Sequence, residues 1–517
     1  MNTRRDFLKL TGLGAASTAL FPNLGKSAAA GFQALEKNGA KRPNVVVFTM
    51  DDIAFDTVNV FGGKVPGITP NVDRLARGGM RFCCAHGSSA VCQPARQSMM
   101  TGLHPHRNGS FGFMPVPAGV PNLSELLMAA GVFTASFSKG RDYSSFKWSW
   151  FLEGYGGHGF GRDGKLFVAS AREAIQRARA AGQPFYLGVN SSDPHRAFAG
   201  SADEQRFLEK EKKLFPKAAN NIYVTTAEAV CTPEQAWVPP YLADLPAVRQ
   251  EQAQYYNTAH HGDQTLGMIL DLLETEGVAQ DTIVVFFSDH GASFPTSKQN
   301  CYPYSTHVPL IIRWPGVVKP DQEDRTHMVS TMDVMPTLLE AYGLPVPPHL
   351  DGRTLWPLLK GADQTGRDHV FTTYNYIYPG LQVYPMRAVE TRAATYIFNA
   401  WSNGQAAFSG ECQSGLTFAA MEHAAESDPA LAQRVRHIKY REREELYDLS
   451  QDPWCLHNLA ADPDKAGLKA EMRKLMESEM RATDDPLLPA FLGSGEVPAA
   501  WYQRDPRLGK KAKHKEE

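Results

Sequence analysis

No stretch of the 517-residue sequence is both long and apolar enough to cross a bilayer, which takes roughly 18–20 residues. Neither sign of charge dominates: the formal net charge is −2. Nothing global therefore attracts nucleic acid, and an anionic ligand would have to be held by a local cationic pocket. The cysteines fit neither a zinc ribbon nor a thioredoxin motif. There are seven of them, Cys83, Cys84, Cys92, Cys231, Cys301, Cys412 and Cys455, so one is left over if the others pair. Spacing alone does not give the pairing. Internal repeats are also missing, which excludes solenoids and propellers. What remains is the composition of a soluble globular protein, 43% hydrophobic and 21% charged. The length calls for a large buried core and a second, smaller domain.

The first thirty residues read as a targeting segment rather than as part of the fold. Thr3-Arg4-Arg5-Asp6-Phe7-Leu8-Lys9 precedes an apolar, Gly/Ala-rich stretch over 10–21, and Ala28-Ala29-Ala30 offers a small-residue cleavage site. The adjacent arginines resemble the twin-arginine export signal, which implies the twin-arginine machinery as a partner and a periplasmic or secreted product. A basic helix or a membrane anchor is the plainer reading, but the apolar run is too short to span. At the other end, 491–517 reads as a tail whose last residues, 509–517, carry charge and no apolar content.

Between these ends, short β-branched runs alternate with amphipathic stretches, the pattern of a mainly parallel sheet covered by helices. Val45-Val46-Val47-Phe48 is a continuous apolar run, as in a strand buried on both faces. Further strands are predicted at 133–137, 184–189 and 282–287, with helices at 71–78, 123–131 and 165–181. A long helix is predicted over 247–276, interrupted near His260-His261-Gly262. Beyond about residue 370 the texture changes, and Thr395-Tyr396-Ile397-Phe398 suggests a smaller, mostly antiparallel unit with terminal helices. The domains are set at 41–370 and 371–490.

Three buried strands end in polar residues: Asp51-Asp52, Asp193-Pro194-His195-Arg196, and Asp289-His290-Gly291. In an open α/β sheet the ligand crevice lies beyond the carboxyl ends of the strands. The three tips meet there if their strands are neighbours; singly, each also reads as a turn. Asp51, Asp52 and Asp289 make an oxygen cage for a hard divalent cation. Without one, the carboxylates would repel and could not all ionise cheaply. His290 is an unusual ligand for calcium and leaves room for manganese.

Between the first two tips lies Cys92-Gln93-Pro94-Ala95-Arg96, followed by Thr101-Gly102. Cys with Pro two places on is weak alone, because 35 of the 517 residues are proline. With Arg96, Thr101, Gly102 and the Asp-Asp tip in order, the pattern is specific. It resembles the signature of the formylglycine-dependent sulfatases of the alkaline phosphatase superfamily. The resemblance runs on through Asp193-Pro194-His195-Arg196, Ser288-Asp289-His290-Gly291 with Lys298, Tyr384-Pro385-Met386-Arg387 and Glu445-Leu446-Tyr447-Asp448. Within the family it is nearest the heparan N-sulfatase branch, notably over Thr101-Gly102-Leu103-His104-Pro105-His106-Arg107-Asn108-Gly109.

The resemblance implies an α/β fold, with a large mainly parallel sheet between helices and a smaller C-terminal α+β domain. It implies a formylglycine made from Cys92 by a formylglycine-generating enzyme, and a sulfated saccharide as substrate. The metal, calcium with manganese as the alternative, would be held by Asp51, Asp52, Asp289, His290 and residue 92. One hydroxyl of the hydrated aldehyde attacks sulfur, and the second then expels sulfate. Lys139 and Lys298 meet the charge on the sulfuryl oxygens, Arg96 braces the formylglycine, and His195 protonates the leaving group. His106 is a pocket residue on this reading, and Arg387 reaches the substrate from the second domain. Singly, Lys139 and Lys298 also read as surface charges.

Two departures stand out. Many sulfatases place His two residues after the first catalytic Lys, where this chain has Arg141. Either His104 or His106 substitutes, or turnover is impaired. Asp289-His290 replaces the common Asp-Asn pair, a variant shared with phosphonate monoester hydrolases. A phosphonate or phosphate ester hydrolase, and a catalytically silent protein that binds sulfated glycans, are therefore the alternatives to a sulfatase acting on the N-sulfate of glucosamine.

Overall fold

The structure is a computed structural model that describes residues 42–152, 161–214 and 227–503. The export-signal reading and residues 504–517 of the expected tail lie outside the described residues, while Phe491 and Trp501 of that tail pack into the core of the smaller C-terminal unit.

Strand Asn44–Met50 forms the middle of an eight-stranded sheet, flanked on both sides by parallel neighbours, Phe185–Ser191 and Thr282–Ser288. Beyond Phe185–Ser191 lie Phe133–Phe137 and Trp150–Leu152, also parallel. Beyond Thr282–Ser288 the sheet becomes mixed, because Leu310–Arg313 runs antiparallel to it. The alternating residues of the central strand explain its continuous apolar run. Val46, Phe48 and Met50 enter one core, and Val45 and Val47 enter the other. Each such side chain contributes roughly 1.5–3 kcal/mol by leaving water.

Helices Gly164–Ala180 and Pro246–Thr275 cover the first face, and Cys92–Thr101, Leu123–Ala129 and Val334–Ala341 cover the second. Helix Pro246–Thr275 runs unbroken, so the interruption expected at His260-His261-Gly262 is absent. Tertiary packing overrides the poor local propensity there. A Cβ at Gly262 would collide with Met50 and crowd Asp193. Glycine thus lets the helix press against the strand ends.

The smaller unit is a four-stranded antiparallel sheet of His369–Tyr374, Met386–Thr391, Ala394–Asn399 and Glu444–Asp448. Met472, Met476 and Met480 of helix Ala466–Ala482 cover one of its faces. Val91, Cys301 and Tyr302 of the larger unit pack with Tyr374, Met386, Ala388 and Ile397. Helices Leu416–Ala425 and Pro429–Lys439 lie within the smaller unit's sequence, yet Phe418, Met421, Leu431 and Ile438 join the larger core. All seven cysteines are unpaired.

Candidate active site

The condition set by the sequence is met: the three polar tips belong to three adjacent parallel strands. In register, Met50 lies between Ser191 and Ser288. Asp51 and Asp289 therefore leave the sheet side by side, with Asp193 one residue further along its own tip and its carboxylate on Arg162 and His261. Asp52, Lys139 and Gln299 all have left-handed backbones, with φ of 70°, 54° and 62°. Non-glycine residues held this way cost of order 1–3 kcal/mol and gather at functional sites.

Cys92 opens helix Cys92–Thr101, whose ten residues are all buried. A helix N-terminus favours negative charge, so this position suits a group that handles an anion. Arg96 lies one turn on, on the same face. Its Nε donates to Asp289 Oδ2 at 2.9 Å, and its Nη2 donates to Asp51 Oδ1 at 3.1 Å. Its Nη1 is held by Thr49 Oγ1 and Asn190 Oδ1. The guanidinium joins the helix to two strand tips and is itself wholly buried.

One ligand atom from each of Asp51, Cys92, Asp289 and His290 lies within 4.8 Å of the others, and Asp51, Asp52, Cys92 and His195 form a second such group. His290 Nδ1 donates to the Gly291 carbonyl at 2.9 Å. That bond leaves Nε2 of a neutral ring as a lone pair. It faces Asp52 Oδ1 at 3.4 Å and Cys92 Sγ at 3.4 Å. Asp52 Oδ1 is buried and has no hydrogen-bond donor. Two acceptors turned on each other in a buried cage call for a cation between them. The residues therefore fit a divalent ion bound by carboxylate oxygens and one imidazole.

The electrostatics agree. Burial raises the Asp289 carboxyl to about 7, against the pull of Arg96 and with the help of Asp51. Burial would also raise Asp51, but Lys139, Arg96 and His195 overcome it and hold Asp51 well below the carboxylate range. Burial pushes the Cys92 thiol well up, and Asp51 adds to the effect. Burial disfavours the Lys298 ammonium, yet Asp52 more than compensates and its pKa rises.

Lys139 Nζ donates to Asp51 Oδ2. Lys298 Nζ donates to Asp52 Oδ2 at 3.0 Å and to Glu411 Oε1 at 3.2 Å. His195 Nδ1 donates to the Arg196 carbonyl at 2.5 Å, so Nε2 faces the site, 3.3 Å from Glu411 Oε1 and 4.0 Å from Asp51 Oδ2. Burial lowers the His195 pKa, and Lys298 lowers it further against Asp52 and Glu411. Glu411 is driven the other way: burial opposes its charge, but Lys298 and His195 bring it down to about 2.

Glu411 escaped the sequence reading. It belongs to the turn Glu411–Gln413 of the smaller unit's sequence, and no motif marks it. Thr49 and Asn190 were also missed, although both are polar residues at the ends of buried strands, a signal that could have revealed them.

Two expected pocket residues are corrected. Arg387 is wholly buried, and its guanidinium is occupied by Asp485, Asn375 and the Tyr374 and Met386 carbonyls. A cation closed off from solvent and surrounded by these acceptors braces the smaller unit and is not presented to a substrate. The His106 ring lies beside the same carboxylate. Its Nε2 meets the Thr483 carbonyl at 3.2 Å, and its Nδ1 is 3.9 Å from Asp485 Oδ2. His104 stacks on His106, and both pack edge-on against Phe371. These contacts seat the helix Pro105–Asn108 on the smaller unit, so neither histidine substitutes at Cys92. The side chain of Arg141 lies outside the described residues.

A buried cage that fits a cation, a cysteine at a helix N-terminus and two lysines bound to the cage's carboxylates suit chemistry on an anionic group such as sulfuryl. The fold and site define an α/β hydrolase of that class. The sequence pattern of the Sulfatase family matches residues 43–344, and that described as "N-sulphoglucosamine sulphohydrolase, C-terminal" matches 294–401. The chain belongs to the sulfatase family. The N-sulphoglucosamine sulphohydrolase of Homo sapiens is 29% identical over 468 residues, covering 86% of this chain and 91% of that protein. An ulvan-active sulfatase of Formosa agariphila is 25% identical over 473 residues, covering 89% and 84%. The fold is shared with a protein solved in complex with its substrate D-glucosamine-2-N,6-O-disulfate, with a TM-score of 0.64 and 19% identity over 86% of this chain and 99% of that one. It is also shared with the phosphonate monoester hydrolase of Agrobacterium radiobacter, with a TM-score of 0.57 and 22% identity over 85% and 96%.

Proposed function

We propose that this sulfatase removes the N-sulfate from glucosamine at the end of heparan-type saccharides. The match of residues 294–401 to the C-terminal region of N-sulphoglucosamine sulphohydrolase carries the reading. Asp51, Asp52, Asp289 and His290 would hold the divalent cation beside residue 92, calcium by the oxygen majority and manganese as the alternative. Bound there, such an ion polarises the attacking oxygen and offsets negative charge. A formylglycine at position 92 supplies an oxygen nucleophile in place of the thiol.

Arg96 fixes the angle of the helix that presents residue 92 to the strand tips. Lys139 and Lys298 lie where the sulfuryl oxygens gain charge, and they act without reorganising because buried carboxylates already orient them. His195 in its protonated form, with Nδ1–H held by the Arg196 carbonyl, delivers the Nε2 proton to the departing atom, and the Glu411 carboxylate 3.3 Å away favours that form. Asp51, Asp52, Asp142, Asp289 and Glu411 converge with Arg96, Lys139 and Lys298, five acidic groups against three cations. A divalent ion would offset that excess and make room for an anionic sulfamate or sulfate ester.

The arginine pair Arg4-Arg5 supports export by the twin-arginine route to the periplasm or beyond, after conversion of Cys92 by a formylglycine-generating enzyme. The test is a screen of purified, converted protein against N-sulfoglucosamine, O-sulfated sugars and phosphonate or phosphate esters, with free sulfate and phosphate both measured. Sulfate from N-sulfoglucosamine is expected. Release from O-sulfates alone would overturn the substrate, and preferential phosphate release would favour the phosphonate reading that His290 keeps in view. Sulfated glycan bound without release of sulfate would mark a silent binding protein.

A further inference from the structure

His195 Nε2 is 3.3 Å from Glu411 Oε1. An atom that takes a proton from that nitrogen can therefore also come within hydrogen-bond distance of the Glu411 carboxylate. The Glu411 side chain is 36% exposed, while that of its other partner, Lys298, is wholly buried, so the carboxylate stands on the open side of the pair.

Its position is built from both ends of its loop. The Glu411 backbone N–H donates to Gln299 Oε1 at 2.7 Å, and Gln299 adjoins Lys298. A Cβ at Gly410 would clash with the same Gln299 oxygen. At the other end, the N–H groups of Leu416 and Thr417 donate to Glu251. Glu251 also accepts from Arg196 Nη1 at 2.5 Å, and Arg196 adjoins His195. The loop is thus tied to the neighbours of both groups that Glu411 touches.

Resting on the N-sulfate reading above, the chemistry of the scissile linkage gives this placement a purpose. The bridging nitrogen of a sulfamate carries a hydrogen, whereas the bridging oxygen of a sulfate ester carries only lone pairs. A carboxylate can accept from the first and repels the second. We propose that Glu411 selects for a sulfamate over a sulfate ester by accepting a hydrogen bond from the N–H of the scissile S–N linkage. When that bond breaks, its electron pair stays on nitrogen and the sulfuryl group passes to residue 92. Nitrogen keeps its hydrogen, takes a second from Nε2 of the protonated His195 ring, which becomes neutral, and leaves as the amine. Overall, sulfamate and water give amine and hydrogen sulfate.

The experiment compares kcat/KM for N-sulfoglucosamine and glucosamine 6-O-sulfate on converted, metal-loaded enzyme, wild type against Glu411→Gln. Any general effect of the lost charge on Lys298 and His195 cancels in the ratio of the two substrates. The ratio is expected to fall about a hundredfold toward the ester, with Glu411→Asp recovering part of it. An unchanged ratio overturns the proposal while leaving the N-sulfate reading intact. A wild type inert on N-sulfoglucosamine overturns both. Should Glu411→Gln fail to fold, inhibition of the wild type decides: glucosamine should bind about tenfold more tightly than glucose, and equal inhibition refutes the role.

Discussion

Arg387 Nη2 donates to Asp485 Oδ1 at 3.0 Å, and neither side chain has any exposure to solvent. The pair joins strand Met386–Thr391 to the segment after helix Ala466–Ala482, with His106 of the larger unit against it. Removing one partner of a buried pair leaves an uncompensated charge, at about 3–5 kcal/mol. Arg387→Ala should lower Tm and reduce soluble yield, with equal effects on sugar and aryl sulfates in whatever folds. Arg387→Met combined with Asp485→Leu should regain most of the stability. A selective loss on the sugar, with Tm unchanged, would return Arg387 to a substrate role.

The same pair has a pH signature. Burial raises the Asp485 carboxyl, but Arg387 wins and holds it below its ordinary range. A depressed folded pKa gives stability that is present above the unfolded value near 3.9 and is lost as pH falls through the folded one. The Tm of the wild type should therefore fall on acidification below about pH 4, and that of the double variant less steeply.

Asp289→Ala should lose both metal and activity, read by elemental analysis and sulfate release. Chelation of the wild type should reproduce the loss, with recovery on adding calcium or manganese. In chelated protein, the Asp289 carboxyl at about 7 binds a proton more tightly folded than unfolded. Stability should then decline as pH rises from about 4 to about 7, and restored metal should flatten that slope. Full metal and activity in Asp289→Ala would place the cation elsewhere.

His195→Ala should cost about 10²- to 10⁴-fold in kcat on a saccharide substrate, whose leaving group needs a proton. An activated aryl sulfate, whose leaving group departs without help, should suffer far less. Equal losses would show that His195 holds the site together rather than supplying the proton.

Gly415 has φ of 90°, and a Cβ there would run into Glu251 and Arg196. Gly415→Ala should therefore disturb the Arg196–Glu251 contact and with it the His195 and Glu411 loops. A fall in kcat on the preferred substrate larger than the change in Tm would suggest is expected. Wild-type kinetics would mean the loops are not coupled.

The sheet was legible because strands buried on both faces write uninterrupted apolar runs, and their polar ends announce themselves. The three aspartates follow directly on such strands, whereas Cys92 and Arg96, on helix Cys92–Thr101, were legible through the spacing of their motif. Arg387 was misread because a strand residue flanked by family-like neighbours says nothing of its partner, which lies 98 residues on. Glu411 left no trace, since a single acid in an irregular turn acquires meaning only from the two loops that fix it. His260-His261-Gly262 looked like a break because propensity is local, whereas the packing of Gly262 on Met50 is not.

Cys92 is 5% exposed, and the helix it opens is buried from end to end. An enzyme that oxidises this residue must grip Cys92 to Arg96 as a strip of accessible backbone. That strip closes once Arg96 engages Asp289, at the end of a strand synthesised nearly two hundred residues later. On the proposed conversion of Cys92, maturation is a race against folding, with a window set by the delay between the emergence of Cys92 and the docking of Thr282–Ser288. Expression conditions that slow folding should raise the converted fraction, and those that hasten it should trap inert thiol inside well-folded protein.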